Sequence, residues 1–124
     1  MRVPAHWGDT VTLYHCDLRD GKAKWTKQVL PNCFLQIKPA RQQVDMSWRD
    51  GVSGVCRIPA PAPAVALGDI IVRGNCADVI DDSVPGQRAA DLVEHNRQNT
   101  LRVMEIHDNT RAHIAVPHVY IGGN

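Results

Sequence analysis

The chain reads as a mainly β protein: a small, partly open antiparallel β-barrel or sandwich with one short α-helix, forming a single domain over residues 1–124. Three observations predict this. The run Gly68-Asp69-Ile70-Ile71-Val72-Arg73-Gly74 has a turn-forming pair, three β-branched residues and a terminating glycine, which is how a short strand is written. Alternating polar and β-forming residues recur on both sides of it. One stretch alone, from Arg88 to about Gln98, spaces its apolar residues (Ala89, Ala90, Leu92, Val93) as a helix does. A length of 124 residues suffices for one core and argues against two.

Residues 9–16 alternate as a half-buried strand, Asp20-Gly21 suits a tight hairpin, and residues 24–30 supply the return strand. Val11, Leu13, Trp25 and Val29 are the expected buried side of that hairpin. Pro31-Asn32 is expected to break the run, and Cys33-Phe34-Leu35-Gln36-Ile37 to begin a third extended segment before Pro39. Residues 43–48 and 52–58, separated by Arg49-Asp50-Gly51, predict a second hairpin. The proline ladder Pro59-Ala60-Pro61-Ala62-Pro63 opens an extended segment around 59–67 that cannot enter a sheet interior, because its prolines lack ladder donors. It predicts a surface loop of polyproline character, acting as a stiff connector or as an arm laid on a neighbouring subunit. After the strand at 69–73 comes an acidic stretch with Asp78, Asp81 and Asp82, ending in a turn at Pro85-Gly86. It lacks the Asp-x-Asp-x-Asp-Gly order of a calcium loop and reads as solvated loop charge. Residues 100–106 alternate again, Asp108-Asn109 is expected to turn, and residues 115–121 form a last strand that Pro117 suggests is an edge.

Charge is nearly balanced, 14 Lys and Arg against 13 Asp and Glu, so no net field draws the chain to nucleic acid or an anionic membrane. The N-terminus lacks the apolar core of a signal peptide, and no apolar run approaches the roughly 18 residues of a membrane span, which leads to the expectation of a cytoplasmic protein. Cys16, Cys33, Cys56 and Cys76 lie far apart without a C-x-x-C knuckle and read as reduced, buried hydrophobes. His6, His15, His95, His107, His113 and His118 show no metal-ligand spacing, so no metal or other cofactor is expected. Gly51-Val52-Ser53-Gly54 lacks the Lys-Ser/Thr of a phosphate loop, and Ser47, Ser53 and Ser83 sit in no nucleophile elbow; no catalytic residues are expected. Lys22, Lys24, Lys27, Lys38 and Arg41 flank Trp25 and Phe34, a set that could stack single-stranded nucleic acid if the rings are exposed, or else form a solvated hairpin face.

Taken in order, Gly8-Asp9-Thr10-Val11-Thr12-Leu13-Tyr14, the return strand at 25–30, Cys56-Arg57-Ile58-Pro59, the Gly68–Gly74 run with Asp78 and Ile80-Asp81, Gly86-Gln87-Arg88-Ala89-Ala90-Asp91-Leu92, and Pro117-His118-Val119-Tyr120-Ile121-Gly122 resemble a family of small proteins from the structural gene clusters of tailed phages and prophages. The resemblance spans nearly the whole chain. It implies a non-enzymatic virion protein of the neck, similar to the head-completion proteins called stoppers or head-tail connectors. Tail terminators at the same junction are the alternative within that class. A small barrel binding single-stranded nucleic acid is the alternative outside it. The resemblance further implies a homo-oligomeric ring, contacts with portal or adaptor and tail proteins, passage of double-stranded DNA without sequence recognition, no membrane partner, and a location in the virion after assembly in the host cytoplasm. Pro61, Pro63, Asp81, Asp82 and Arg88 are the candidate subunit-interface residues.

Overall fold

A computed structural model describes residues 7–19, 22–44, 46–111 and 116–124. Six strands, β1 (Asp9–Arg19), β2 (Lys22–Val44), β3 (Ser47–Pro59), β4 (Ile70–Arg73), β5 (Thr100–Asn109) and β6 (His118–Gly123), form a closed barrel in the order β1-β2-β3-β6-β5-β4, every neighbouring pair antiparallel. One short helix, α1 (Ala89–His95), is followed by a 3-10 turn at Arg97–Asn99. The mainly β antiparallel barrel with a single helix that the sequence predicts is the observed architecture. β1 and β4 close the barrel between β2 and β5, although β2 past Cys33 and β5 past Arg102 pair with no strand on that side among the described residues.

Alternation along the strands sorts the side chains. Val11, Leu13, Leu30, Cys33, Leu35, Cys56, Ile58, Ile71, Leu101, Val103, Val119 and Ile121 fill the barrel. Tyr14, Ile70 and Val72 point the other way and would be exposed, but the crossover between β4 and β5 folds back over them with Cys76, Ile80 and Leu92. The unbroken apolar run Ile70-Ile71-Val72 follows from this double burial, since a strand covered on both faces has no polar side to show.

The long β2 serves two partners. Its first half pairs with β1 from Lys22 to Cys33 and its second half with β3 from Phe34 to Val44. The expected break at Pro31-Asn32 is instead a bulge: Asn32 takes φ 58°, the β1 register slips between Asp9 and Val11, and Asp9 Oδ2 accepts from Leu35 N at 2.9 Å. The strand turns a barrel corner there rather than ending. A second corner forms where Gly54 faces Gly123. A Cβ on Gly54 would stand under 3.0 Å from the Gln36 carbonyl oxygen, and one on Gly123 equally close to that of Arg102. Only glycine lets the walls cross so tightly.

Several boundaries differ from expectation. The second hairpin turns between Val44 and Ser47, not at Arg49-Asp50-Gly51, which lies inside β3 opposite Gln42, Arg41 and Ala40. Met46 at φ 65° supplies the left-handed backbone that a two-residue hairpin demands. Trp25 and Val29 pair with Cys16 and Thr12, so they lie on the outer face, opposite Val11 and Leu13; Val29 is 40% exposed. Asp108 does not end its strand: β5 runs to Asn109, and Asp108 Oδ1 accepts from Thr110 N and Oγ1 beyond it. Pro117 precedes β6, which is no edge but lies between β3 and β5. The Asp20-Gly21 turn, His6, His113 and the expected start of the last strand at Ala115 lie outside the described residues.

Two ribbons leave the barrel. Beyond Ile37 and Gly54, β2 and β3 pair only with each other down to Val44 and Ser47. Beyond Tyr14, β1 loses β4 and continues against β2 to Arg19. β2 runs from one ribbon to the other, so they lie at the two ends of that strand, on either side of the corner at Asn32.

Candidate assembly surface

The crossover between β4 and β5 is a layer pinned to the outside of β1. Thr12, fully buried, donates its hydroxyl to Gly74 O at 2.7 Å and accepts from Cys76 N at 2.9 Å. Tyr14 donates to Asp78 O at 2.6 Å, and burial holds its hydroxyl well above the ordinary tyrosine range. Trp25 is half-buried against this layer, and its Nε1 donates to Asp82 Oδ2 at 3.0 Å.

Three of the five sequence-predicted interface residues meet here. Asp81 donates its backbone N–H to Gln87 O at 2.7 Å and accepts from Ser83 N and Oγ, bonds that hold its carboxyl below the usual range. Asp82 Oδ1 accepts from Ala89 N at 3.4 Å, at the start of α1. Arg88 is the N-cap, its N–H donating to Asp91 Oδ2 at 3.1 Å. All three side chains are exposed, beside exposed Val79 and Val84. Pro61 and Pro63 are elsewhere: their loop leaves the end of β3, where Ala60 N donates to Pro117 O, and covers the barrel end with Ala62 and Val65 against the core. Pro61 is exposed and Pro63 half-buried.

Trp25, beside the lysines, is half-buried and its ring edge is engaged by an acidic partner. Lys24 and Lys27 are exposed on the first half of β2, Lys38 and Arg41 beyond the bulge on the second; the side chain of Lys22 lies outside the described residues. Phe34 belongs to a different set. On the outer wall, Phe34, Arg57, Tyr120 and His107 are successive register partners across β2, β3, β6 and β5. The Arg57 guanidinium lies 5.3 Å from the Phe34 ring centre and 5.5 Å from that of Tyr120, and the His107 ring sits 5.6 Å from Tyr120. His107 also pairs with Glu105. Sequence reasoning missed this row because its members are widely separated in sequence; the available signal was that Phe34, Arg57 and Tyr120 each sit between two core residues on an alternating strand.

The polar centre at the Pro-loop end was missed as well. Asp69 is 1% exposed, yet Oδ1 accepts from Cys16 N at 3.1 Å, Oδ2 accepts from Ala66 N at 2.8 Å, and His15 Nδ1 lies 2.7 Å from Oδ2. Read from sequence as half of a turn, Asp69 is the bolt that joins β1 to the Pro-rich loop. His15 and Cys16 are consecutive on a strand and project to opposite faces, so they do not form a nucleophile–base pair. Burial pushes the Cys33 thiol up to about 11 and the Cys56 thiol higher still, away from the thiolate form that reacts. Among the described residues, no group of three or more His, Cys, Asp or Glu side chains is placed to hold a metal ion, and no helix is long and apolar enough to cross a membrane.

Residues 7–124 match a family of unknown function (DUF6751). Neither a curated protein nor a solved structure matches the chain.

Proposed function

The chain belongs to DUF6751, and we propose that it serves as a ring-forming structural protein of the tailed-phage neck, a head-tail connector of the stopper or head-completion type. The observation that carries this reading is the pair of two-stranded ribbons that leave the barrel wall at the two ends of β2. In a ring of such barrels, one ribbon would reach the component on the head side or the channel, and the other the component on the tail side. The barrel wall would be left for contacts between copies. The crossover layer that gathers Asp81, Asp82 and Arg88 suits a subunit contact, with exposed Val79 and Val84 available for apolar burial. Near-neutral charge suits a channel protein too, because tight phosphate binding would impede passage of DNA. The same geometry serves a tail terminator at the same junction.

The nucleic-acid reading loses its main support because Trp25 packs under the crossover and bonds Asp82. The test of the neck reading is electron microscopy of particles from a phage lacking this gene, with mass spectrometry of wild-type virions. Tailless, DNA-leaking heads beside free tails, with the protein present in mature virions, are expected. Intact tailed particles without the protein would overturn the reading.

A further inference from the structure

The barrel wears its crossover layer on one side only. That layer covers β1 and β4, through Tyr14, Ile70 and Val72. In the cyclic strand order β1-β2-β3-β6-β5-β4, β6 stands opposite β1 and β3 opposite β4. The Phe34–Arg57–Tyr120–His107 row therefore lies on the far wall from the layer. Beside it a second register row, Gln36, Val55, Gly122 and Glu105, extends toward the β2–β3 ribbon, followed by Lys38 opposite Ser53. Phe34, Arg57, Tyr120 and Val55 are half-buried and Gln36, Lys38, Glu105 and His107 exposed, so this wall presents ring faces and aliphatic surface around a guanidinium.

The two sides differ in charge. Residues 75–99 hold five acidic side chains (Asp78, Asp81, Asp82, Asp91, Glu94) and two basic ones (Arg88, Arg97), whereas the rows on the far wall hold Arg57 and Lys38 against Glu105. The layer also exposes apolar side chains, Val79 at 61% and Val84 at 37%. An acidic, partly apolar face on one side and an arginine set between aromatic rings on the other are complementary to each other, and neither is complementary to itself.

We infer that the Phe34–Arg57–Tyr120–His107 wall is a docking surface for the crossover layer of a second copy, with Asp81 and its neighbours meeting Arg57 and with Val79 and Val84 lying against the aromatic rings. This rests on the ring reading above and names the two faces that would make the ring. Such a contact is heterologous, face to opposite face, and continues from copy to copy until rotation closes it. Nearly opposite faces are what a ring of many subunits needs, since each subunit then turns the path by only a small angle. Charge complementarity of this kind sets orientation and rejects the self-paired, two-fold alternative.

The experiment is sedimentation velocity with native mass spectrometry on the full chain, in low and high salt, for wild type, Arg57→Glu, Asp81→Arg and Val79→Arg, each checked for wild-type circular dichroism. Wild type is expected to form closed oligomers that weaken with salt, and each variant to self-associate about tenfold less or worse, the scale on which removing a buried charge partner acts. An equimolar mixture of Arg57→Glu and Asp81→Arg retains one good wall and one good layer between the two proteins. The remaining face of each carries exchanged but still opposite charges, so oligomers larger than a dimer, in which the two proteins alternate, should return, whereas an isologous contact would stop at a dimer. Oligomers unchanged in all three variants would overturn the inference while leaving a ring in place. A wild type that stays monomeric throughout would overturn it too, and the virion test above then decides the neck reading separately. Unchanged sedimentation of Arg57→Glu with loss of binding to a fluorescent oligothymidine would assign the wall to single-stranded nucleic acid and overturn the self-docking proposal.

Discussion

Replacing Asp69 by alanine removes a buried carboxylate that three groups lean on. Cys16 N–H, Ala66 N–H and the His15 ring all lose their acceptor, and the site is closed enough that Asp69 itself is 1% exposed. A hydrogen bond to a charged group contributes about 1.5–3 kcal/mol, and a buried donor left unpaired costs about 1–3 kcal/mol. His15 retains 26% of its surface in solvent, so water can reach its side of the gap and the losses will not add in full. The expected destabilisation is about 3–5 kcal/mol, a third or more of the stability of a typical domain. Asp69→Asn keeps the shape but offers one oxygen where two are used, Oδ1 by Cys16 and Oδ2 by Ala66, so about 1–3 kcal/mol is expected. His15→Ala removes one partly exposed contact and should cost least, about 1 kcal/mol. Urea unfolding followed by tryptophan fluorescence measures all three, with stability taken from the linear extrapolation. An Asp69→Ala protein within about 1 kcal/mol of wild type would refute the idea that this carboxylate bolts β1 to the Pro-rich loop.

Gly54→Ala should force β3 away from the Gln36 carbonyl at the barrel corner and cost about 2–3 kcal/mol, read as a lowered urea midpoint, whereas Gly8→Ala, with open space around it, should be nearly silent. Trp25→Ala should destabilise by about 2–3 kcal/mol, less than a fully buried tryptophan, and should loosen the crossover, seen as faster amide exchange in α1. Alkali should unfold the protein. The folded state holds the Cys33 thiol protonated up to about 11 against an ordinary 9.0, so its contribution is complete below pH 9.0 and is lost as pH rises through 11, at up to about 1.4 kcal/mol per pH unit. Cys56 and Tyr14 act in the same direction, and Cys33→Ala should flatten the urea midpoint measured between pH 8 and pH 10.

The strands were legible where burial is one-sided or complete. Residues 9–16, the Ile70-Ile71-Val72 run and residues 100–106 fall where their patterns place them, because alternation or an unbroken apolar stretch reports burial directly. What misled was punctuation. Pro31-Asn32 looks like a stop, yet a bulge absorbs both residues and carries the strand around a corner. Arg49-Asp50-Gly51 looks like a turn, yet it sits in a ribbon whose strands pair with each other and not with the barrel wall, where ordinary turn residues are tolerated. Trp25 and Val29 read as the buried side of the N-terminal hairpin because each is apolar; only the register, which no local pattern fixes, puts them on the outer face. The candidate site was half legible. The gathering of Asp81, Asp82 and Arg88 is local and could be read as one turn, whereas the Arg57 row and the Asp69 centre are products of closure and join residues from up to four strands.

Closure is also what divides the surface into unlike halves. A six-stranded barrel of this length needs no outer layer to fill its interior, since twelve buried residues already form that core. The crossover nonetheless folds over β1 and β4 and builds a second core around Tyr14, Ile70, Val72 and Leu92. Its effect is asymmetry: one wall is thickened, acidic and studded with exposed valines, and the opposite wall is lined, among the described residues, with rings and Arg57. A monomer whose only requirement was stability could have joined β4 to β5 with a short turn, the pairing Ile70↔Arg102 being simply antiparallel. The 26 residues spent between Arg73 and Thr100 instead build one of the two unlike faces on which the proposed contact between copies rests. That expenditure of chain, together with the two ribbons, is the physical argument for the proposed assembly.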